Sequence, residues 1–128
     1  MAIAMRYGTP GESSGGAGGS SGGVSVDLLW TNPNPTSNFS AQTVSLDLSG
    51  YDSVRITFIA NMNTPVCYTQ EADIDSYDHL LFAVSAAPAR QSRSFTLSAT
   101  GIVFANGATG NTSGSQYGVP IKIWGIKF

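Results

Sequence analysis

The densest group of reactive side chains in this sequence is an acidic run that contains Glu71, Asp73, Asp75 and Asp78. Carboxylate oxygens at alternate positions are ligands that Ca²⁺ accepts, which makes Asp73, Asp75 and Asp78 the candidate metal ligands. An EF-hand loop, however, requires a glycine where this run has Asp78. The sequence therefore predicts no metal site and no cofactor. A pair of these carboxylates has the chemistry of a glycoside hydrolase, so a carbohydrate-active domain stays open as an alternative function.

Nucleophilic catalysis has few candidate residues. Cys67 is the only cysteine and His79 the only histidine, and nothing in the sequence links the two. The Gly-rich segment Thr9–Gly23 has no lysine that would make it a P-loop. We therefore predict that the chain is not an enzyme, and that Cys67 is a small buried hydrophobic residue in a strand.

A long polar segment, Asn106–Tyr117, is the candidate for ligand binding. Its amides and hydroxyls can hydrogen-bond a sugar without the desolvation cost of full charges. Tyr117 adds an aromatic face on which a pyranose ring can stack. We predict that Asn111, Gln116 and Tyr117 bind a glycan, while a tolerant surface loop without a ligand is the alternative interpretation.

The elements that must position these residues are β-strands. Around the turn Ser49–Asp52, apolar residues alternate with polar ones on both sides, which predicts a hairpin with one apolar face. Similar short alternating segments follow along the chain, and helix signals are nearly absent, which is typical of an antiparallel β-sandwich or jelly roll. The predicted core contains Val44, Leu46, Leu48, Val54, Ile56, Phe58, Phe95, Leu97, Ile121 and Ile123.

Composition adds an expectation about assembly. Charged residues make up only 11% of the chain, against about a quarter in ordinary domains. The segment His79–Ser85 is apolar on both faces, so it is expected either in the centre of a sheet or at a contact between subunits. Both observations favour a homo-oligomer. The six Lys and Arg residues are scattered, so no nucleic-acid partner is expected.

The chain divides into two parts by composition. Residues 1–23 combine an N-terminal attachment peptide with a Gly/Ser-rich linker, and residues 24–128 form the predicted β-sandwich domain. No segment approaches the roughly 18 consecutive apolar residues that a membrane-spanning helix requires, so no membrane insertion is expected.

Two sequence segments carry a family resemblance. They are LLWTNPNPTSNFSAQTVSLDLSGYDSVRITF at Leu28–Phe58 and VPIKIWGIKF at Val119–Phe128. Together they resemble the small β-domain of bacteriophage tail-fibre and head-fibre type virion structural proteins. The resemblance implies a virion location, a homotrimer, and non-enzymatic attachment to a host surface. It also implies that residues 1–23 join the domain to other virion proteins, and it brings no catalytic residues. A capsid decoration or head-fibre protein with a purely structural role is the alternative within this family.

Overall fold

The computed structural model describes residues 23–86 and 89–128, without the side chains of residues 85, 86 and 89. Within these ranges the chain is built from antiparallel strands, and no helix is long and apolar enough to cross a membrane. The strands are β1 (Ser25–Thr31), β2 (Gln42–Ser45), β3 (Ser53–Asn61), β4 (Cys67–Asp73), β5 (His79–Ala86), β6 (Ala89–Ser98), β7 (Gly101–Thr109), β8 (Thr112–Ser113) and β9 (Tyr117–Lys127).

The strands form two sheets that pack face to face. Sheet I has the order β1-β9-β3-β4, and sheet II has the order β2-β7-β6-β5, with the short β8 paired to β7. All neighbouring strands are antiparallel. The predicted all-β sandwich is therefore confirmed. The division at residue 23 stays a prediction, because residues 1–22 lie outside the described part of the chain.

The core lies between the sheets and follows the alternation of the sequence. Eight of the ten predicted core residues are buried, and Leu46 and Ile121 are partly buried against them. Ile121 is displaced because the β3–β9 register shifts, so that Thr57 pairs with Lys122 while Phe58 pairs with Pro120. The extra residue forms a β-bulge, which turns its side chain away from the strict alternation.

The predicted hairpin around Ser49–Asp52 is wrong. β2 pairs with β7 in sheet II, whereas β3 pairs with β4 and β9 in sheet I. The connection crosses the end of the sandwich, where the Leu46 and Leu48 amides donate to the carbonyls of Thr100 and Ala99. Two alternating strands that face one core from opposite sheets have the same sequence pattern as two paired strands.

One expectation about burial is wrong, and one of the two alternatives for β5 is excluded. Cys67 is exposed, because it begins β4, which is an edge strand of sheet I. β5 is an edge strand rather than a central one, and its outer residues Leu80, Phe82 and Val84 are 46%, 48% and 47% exposed. The second apolar row of β5 is therefore uncovered in the single chain.

Candidate functional site

The acidic run is divided between a strand and a loop. Glu71 and Asp73 belong to β4, and the Glu71 carboxylate accepts a hydrogen bond of 2.9 Å from Nε of Arg55. In the following loop, one oxygen of Asp75 accepts from the Tyr77 amide at 3.0 Å and lies 2.8 Å from Nε2 of His79. The Glu71 carboxylate thus bonds to Arg55 on the neighbouring strand, and the Asp75 carboxylate bonds within its own loop.

The Asp75 contacts have an electrostatic consequence. The Tyr77 amide, followed by His79, lowers the pKa of the Asp75 carboxyl because both favour the ionised form. Among the described residues, no three His, Cys, Asp or Glu side chains are grouped so that they could hold a metal ion. Asp73, Asp75 and Asp78 therefore do not come together as a metal site in this part of the chain.

The segment Asn106–Tyr117 is a hairpin rather than an open loop. β7 and β8 pair through Thr109 and Thr112, so that Asn111 lies at the tip beside Gly110. Gln116 and Tyr117 lie at the base, where their side chains flank Gly114. The structure thus brings Gln116 and Tyr117 together and places Asn111 at the other end of the hairpin.

The base of this hairpin is held by a buried arginine. Arg93 is 1% exposed, and its guanidinium donates to four backbone carbonyls. These are Gly118 at 2.8 Å, Ala105 at 2.7 Å, Tyr117 at 2.9 Å and Ser115 at 3.2 Å. The acceptors belong to β7, to β9 and to the segment that joins β8 to β9. One side chain therefore ties the hairpin to the interior of the sandwich.

Within the described part of the chain, Arg93 forms no salt bridge with a carboxylate. The guanidinium carbon lies 5.2 Å from the centre of the Phe39 ring, a cation–π arrangement. Burial lowers the pKa of Arg93 to about 10, so the side chain is still protonated at neutral pH. Sequence reasoning missed this residue, although Arg93 shares the alternating parity of the core residues Phe95 and Leu97.

Phe39 connects the arginine to a surface cleft on the far side of the sandwich from β4 and β5. Its ring packs edge-on against Trp30 at 6.1 Å and against Phe104 at 5.6 Å, and its amide donates to the Ser115 carbonyl. The cleft has a volume of about 280 Å³. It is lined by Trp30, Asn32, Pro33, Asn34, Asn38, Phe39, Gln42, Thr43, Val44 and Ser45.

Asn32 fixes the wall of this cleft. Its side-chain amide donates to the Pro120 carbonyl at 2.9 Å, and its backbone amide donates to the Ile121 carbonyl at 2.7 Å. Its side-chain oxygen accepts from the Asn34 amide at 2.7 Å, which is an Asx turn. The buried Asn32 side chain thus holds the Asn-Pro segment against β9, so the lining residues are presented from a fixed backbone.

The exposed lining of the cleft is uncharged and polar. Asn34, Asn38 and Gln42 are exposed and carry both donors and acceptors, and Trp30 is partly buried beside them. None of the lining side chains is ionisable. Amides next to an aromatic ring suit a neutral ligand that has both hydroxyls and an apolar face. The density of Asn and Pro beside Trp30 was the signal in the sequence that was available for this site.

Comparison of the chain with protein-family models, with curated proteins and with solved structures found no match.

Proposed function

We propose that this chain is a non-enzymatic attachment module of a bacteriophage virion, of the fibre or fibre-tip type, that acts as a homotrimer and binds a neutral glycan on the host surface. The virion location and the trimer rest on the sequence resemblance described above. The glycan rests on the chemistry of the cleft between Trp30 and Gln42.

The observation that carries the proposal is the uncharged amide lining of that cleft. A sugar hydroxyl both donates and accepts hydrogen bonds, and the side chains of Asn34, Asn38 and Gln42 can pair with it in either direction. The volume of about 280 Å³ is just below the range of roughly 300–1,000 Å³ that ligand sites span. It therefore suits one sugar ring, and several copies in an assembly would raise a weak affinity through avidity.

The site differs from the one that the sequence predicted. Gln116 and Tyr117 lie at the base of the β7–β8 hairpin, and Asn111 lies at its tip, so those three residues do not form one lining. The cleft, in contrast, draws its lining from one continuous wall, the Asn-Pro segment, and from the neighbouring strand β2. The two sites can be separated by mutation.

The test measures adsorption of the purified full chain to host cells and to a glycan array. A variant with Asn34→Ala, Asn38→Ala and Gln42→Ala is compared with one carrying Asn111→Ala, Gln116→Ala and Tyr117→Ala. We expect the first variant to lose binding and the second to keep it. Circular dichroism checks that both are folded, and the side chain of Asn32 is left intact because it supports the backbone.

Loss of binding only in the second variant would move the site to the β7–β8 hairpin. Binding that both variants keep would remove the glycan proposal for these two sites.

A capsid decoration protein with a purely structural role is the second candidate. It is favoured by the exposed apolar residues of β5, which suit packing against protein rather than recognition of sugar. Immunogold labelling of particles distinguishes the two, because a decoration protein labels the head and an attachment tip labels the fibre ends.

A further inference from the structure

The two outer faces of the sandwich differ in charge. The outer face of sheet I carries Arg55, Glu71 and Lys122, and Arg55 and Glu71 form an ion pair there. Along each strand of sheet II, the residues of the outer face alternate with residues that point into the core. In the middle of the outer face these are Leu80, Phe82, Val84, Ser92, Ser94, Thr96 and Val103. The only charged residue in this row of β6 is Arg90, near the start of the strand.

We propose that this outer face of sheet II is the contact surface between copies of this chain. The proposal rests on the assembly part of the proposed function and assigns it a location. Leu80, Phe82 and Val84 on β5 and Val103 on β7, which is 52% exposed, are the apolar anchors. Rows of serine and threonine on β6 lie between them and provide small side chains that allow close approach.

The absence of charge from the middle of this face is the argument for a second copy as the occupant. In a symmetric assembly, residues near the axis lie close to their own counterparts, so a charged face suffers like-charge repulsion. A face with hydroxyls and apolar side chains can meet its own copy without that cost. Depletion of charge is also found at the centre of protein interfaces.

Hydrogen bonds along the outer edge of β5 favour a contact through the face of this strand rather than through its edge. The side-chain amide of Gln70 donates to the Leu80 carbonyl at 2.6 Å, and its oxygen accepts from the Phe82 amide at 3.2 Å. The Tyr68 hydroxyl donates to the Val84 carbonyl at 3.4 Å. These bonds occupy the free edge of β5, so an added strand has no open ladder there. The copies therefore pack sheet against sheet.

The experiment measures the mass of the full chain in solution by sedimentation equilibrium at micromolar concentration. We expect the wild type to have three times the mass of one chain, and Phe82→Lys to have the mass of a single chain. Leu28→Lys is the matched control, because Leu28 is 53% exposed on the outer face of sheet I and receives the same change. This control should stay trimeric.

A second variant distinguishes loss of the contact between copies from loss of the fold. Val103→Lys places the charge on β7, away from β5, and should also give single chains with an unchanged circular dichroism spectrum.

A monomeric wild type would overturn the proposal, and so would a trimer that Leu28→Lys dissociates while Phe82→Lys does not. A dissociated but folded Phe82→Lys variant that still binds glycan per site would separate this interface from the glycan proposal. A trimeric wild type that binds no glycan would leave the interface standing while the glycan proposal fails.

Discussion

Two arginines in this domain have opposite environments. Arg55 lies on the outer face of sheet I, where its guanidinium is 2.9 Å from the Glu71 carboxylate and both side chains remain partly in water. Arg93 is buried in sheet II and donates to backbone carbonyls, with Phe39 against its guanidinium. The ion pair is thus at the surface, while the cation in the interior has neutral partners.

The difference shows in which environment an arginine contributes to the stability of this fold. A surface ion pair gains little, because water already solvates both charges. A buried guanidinium satisfies several carbonyls at once, and a buried carbonyl that loses its donor costs its full desolvation penalty. The Arg93 site also joins the hairpin base to Phe39, and through Phe39 to the cleft wall. Arg93, whose partners are neutral carbonyls, therefore contributes more to the stability of the fold than the Arg55–Glu71 ion pair does.

The largest expected effect is that of removing Arg93. Arg93→Met keeps the apolar stem but leaves the carbonyls of Ala105, Tyr117 and Gly118 without their donor. We expect the free energy of unfolding to fall by about 3–5 kcal/mol. Arg93→Lys, which supplies fewer donors without the planar fork, should lose less. Urea denaturation measures both, and Arg55→Met is the control. A loss for Arg93→Met no larger than that of the control would contradict the comparison.

The next effect tests the backbone cage around Arg93. Gly107 pairs with Arg93, and a Cβ there would overlap the Tyr117 carbonyl oxygen. Because that oxygen belongs to the backbone, the strands must separate, and Gly107→Ala should cost about 1–3 kcal/mol. Gly50→Ala is the control, since nothing lies within 4 Å of its Cβ position. Equal denaturation midpoints for Gly107→Ala and Gly50→Ala would refute the close approach of Gly107 to the Tyr117 carbonyl.

A smaller effect is expected for the surface pair. A double-mutant cycle with Arg55→Ala and Glu71→Ala should give a coupling energy of about 0.2–1 kcal/mol. Added salt should reduce it, because exposed charges are screened. Denaturation at low and at high salt measures the cycle. A coupling energy well above this range that does not change with salt would show that Arg55 stabilises the fold as strongly as Arg93 does.

The smallest effect concerns the exposed carboxylate in the β4–β5 loop. The pKa of Asp75 is lowered in the folded chain, so its contribution to stability is present above the unfolded pKa near 3.8 and is lost as the pH falls through the lowered value. Asp75→Asn keeps an oxygen for the Tyr77 amide and cannot ionise. The wild type should be slightly more stable than this variant at neutral pH, and the difference should vanish in acid. Urea midpoints across the acid range measure it, and a difference that persists unchanged would argue against the contribution.

The sequence alone determined the alternation of the main strands and which of their faces turns inward. Val54, Ile56 and Phe58 alternate with polar residues, and burial of one face by a second sheet follows directly from that period. The near absence of helical periodicity likewise fixed the all-β class. These properties depend only on neighbours along the chain, and so they can be obtained without knowing any partner.

Tertiary structure alone decided the partners. The alternation of Val44 and Val54 is the same whether β2 and β3 pair or face each other across the core, and only the β2–β7 and β3–β9 registers distinguish the two. The same holds for Arg93, which is placed among carbonyls from segments far away in sequence, and for the cleft, whose lining meets only when Asn32 bonds to β9. A hydrogen bond between distant segments leaves no local period, which is the physical reason that the sequence predicted the sandwich but neither its buried arginine nor its cleft.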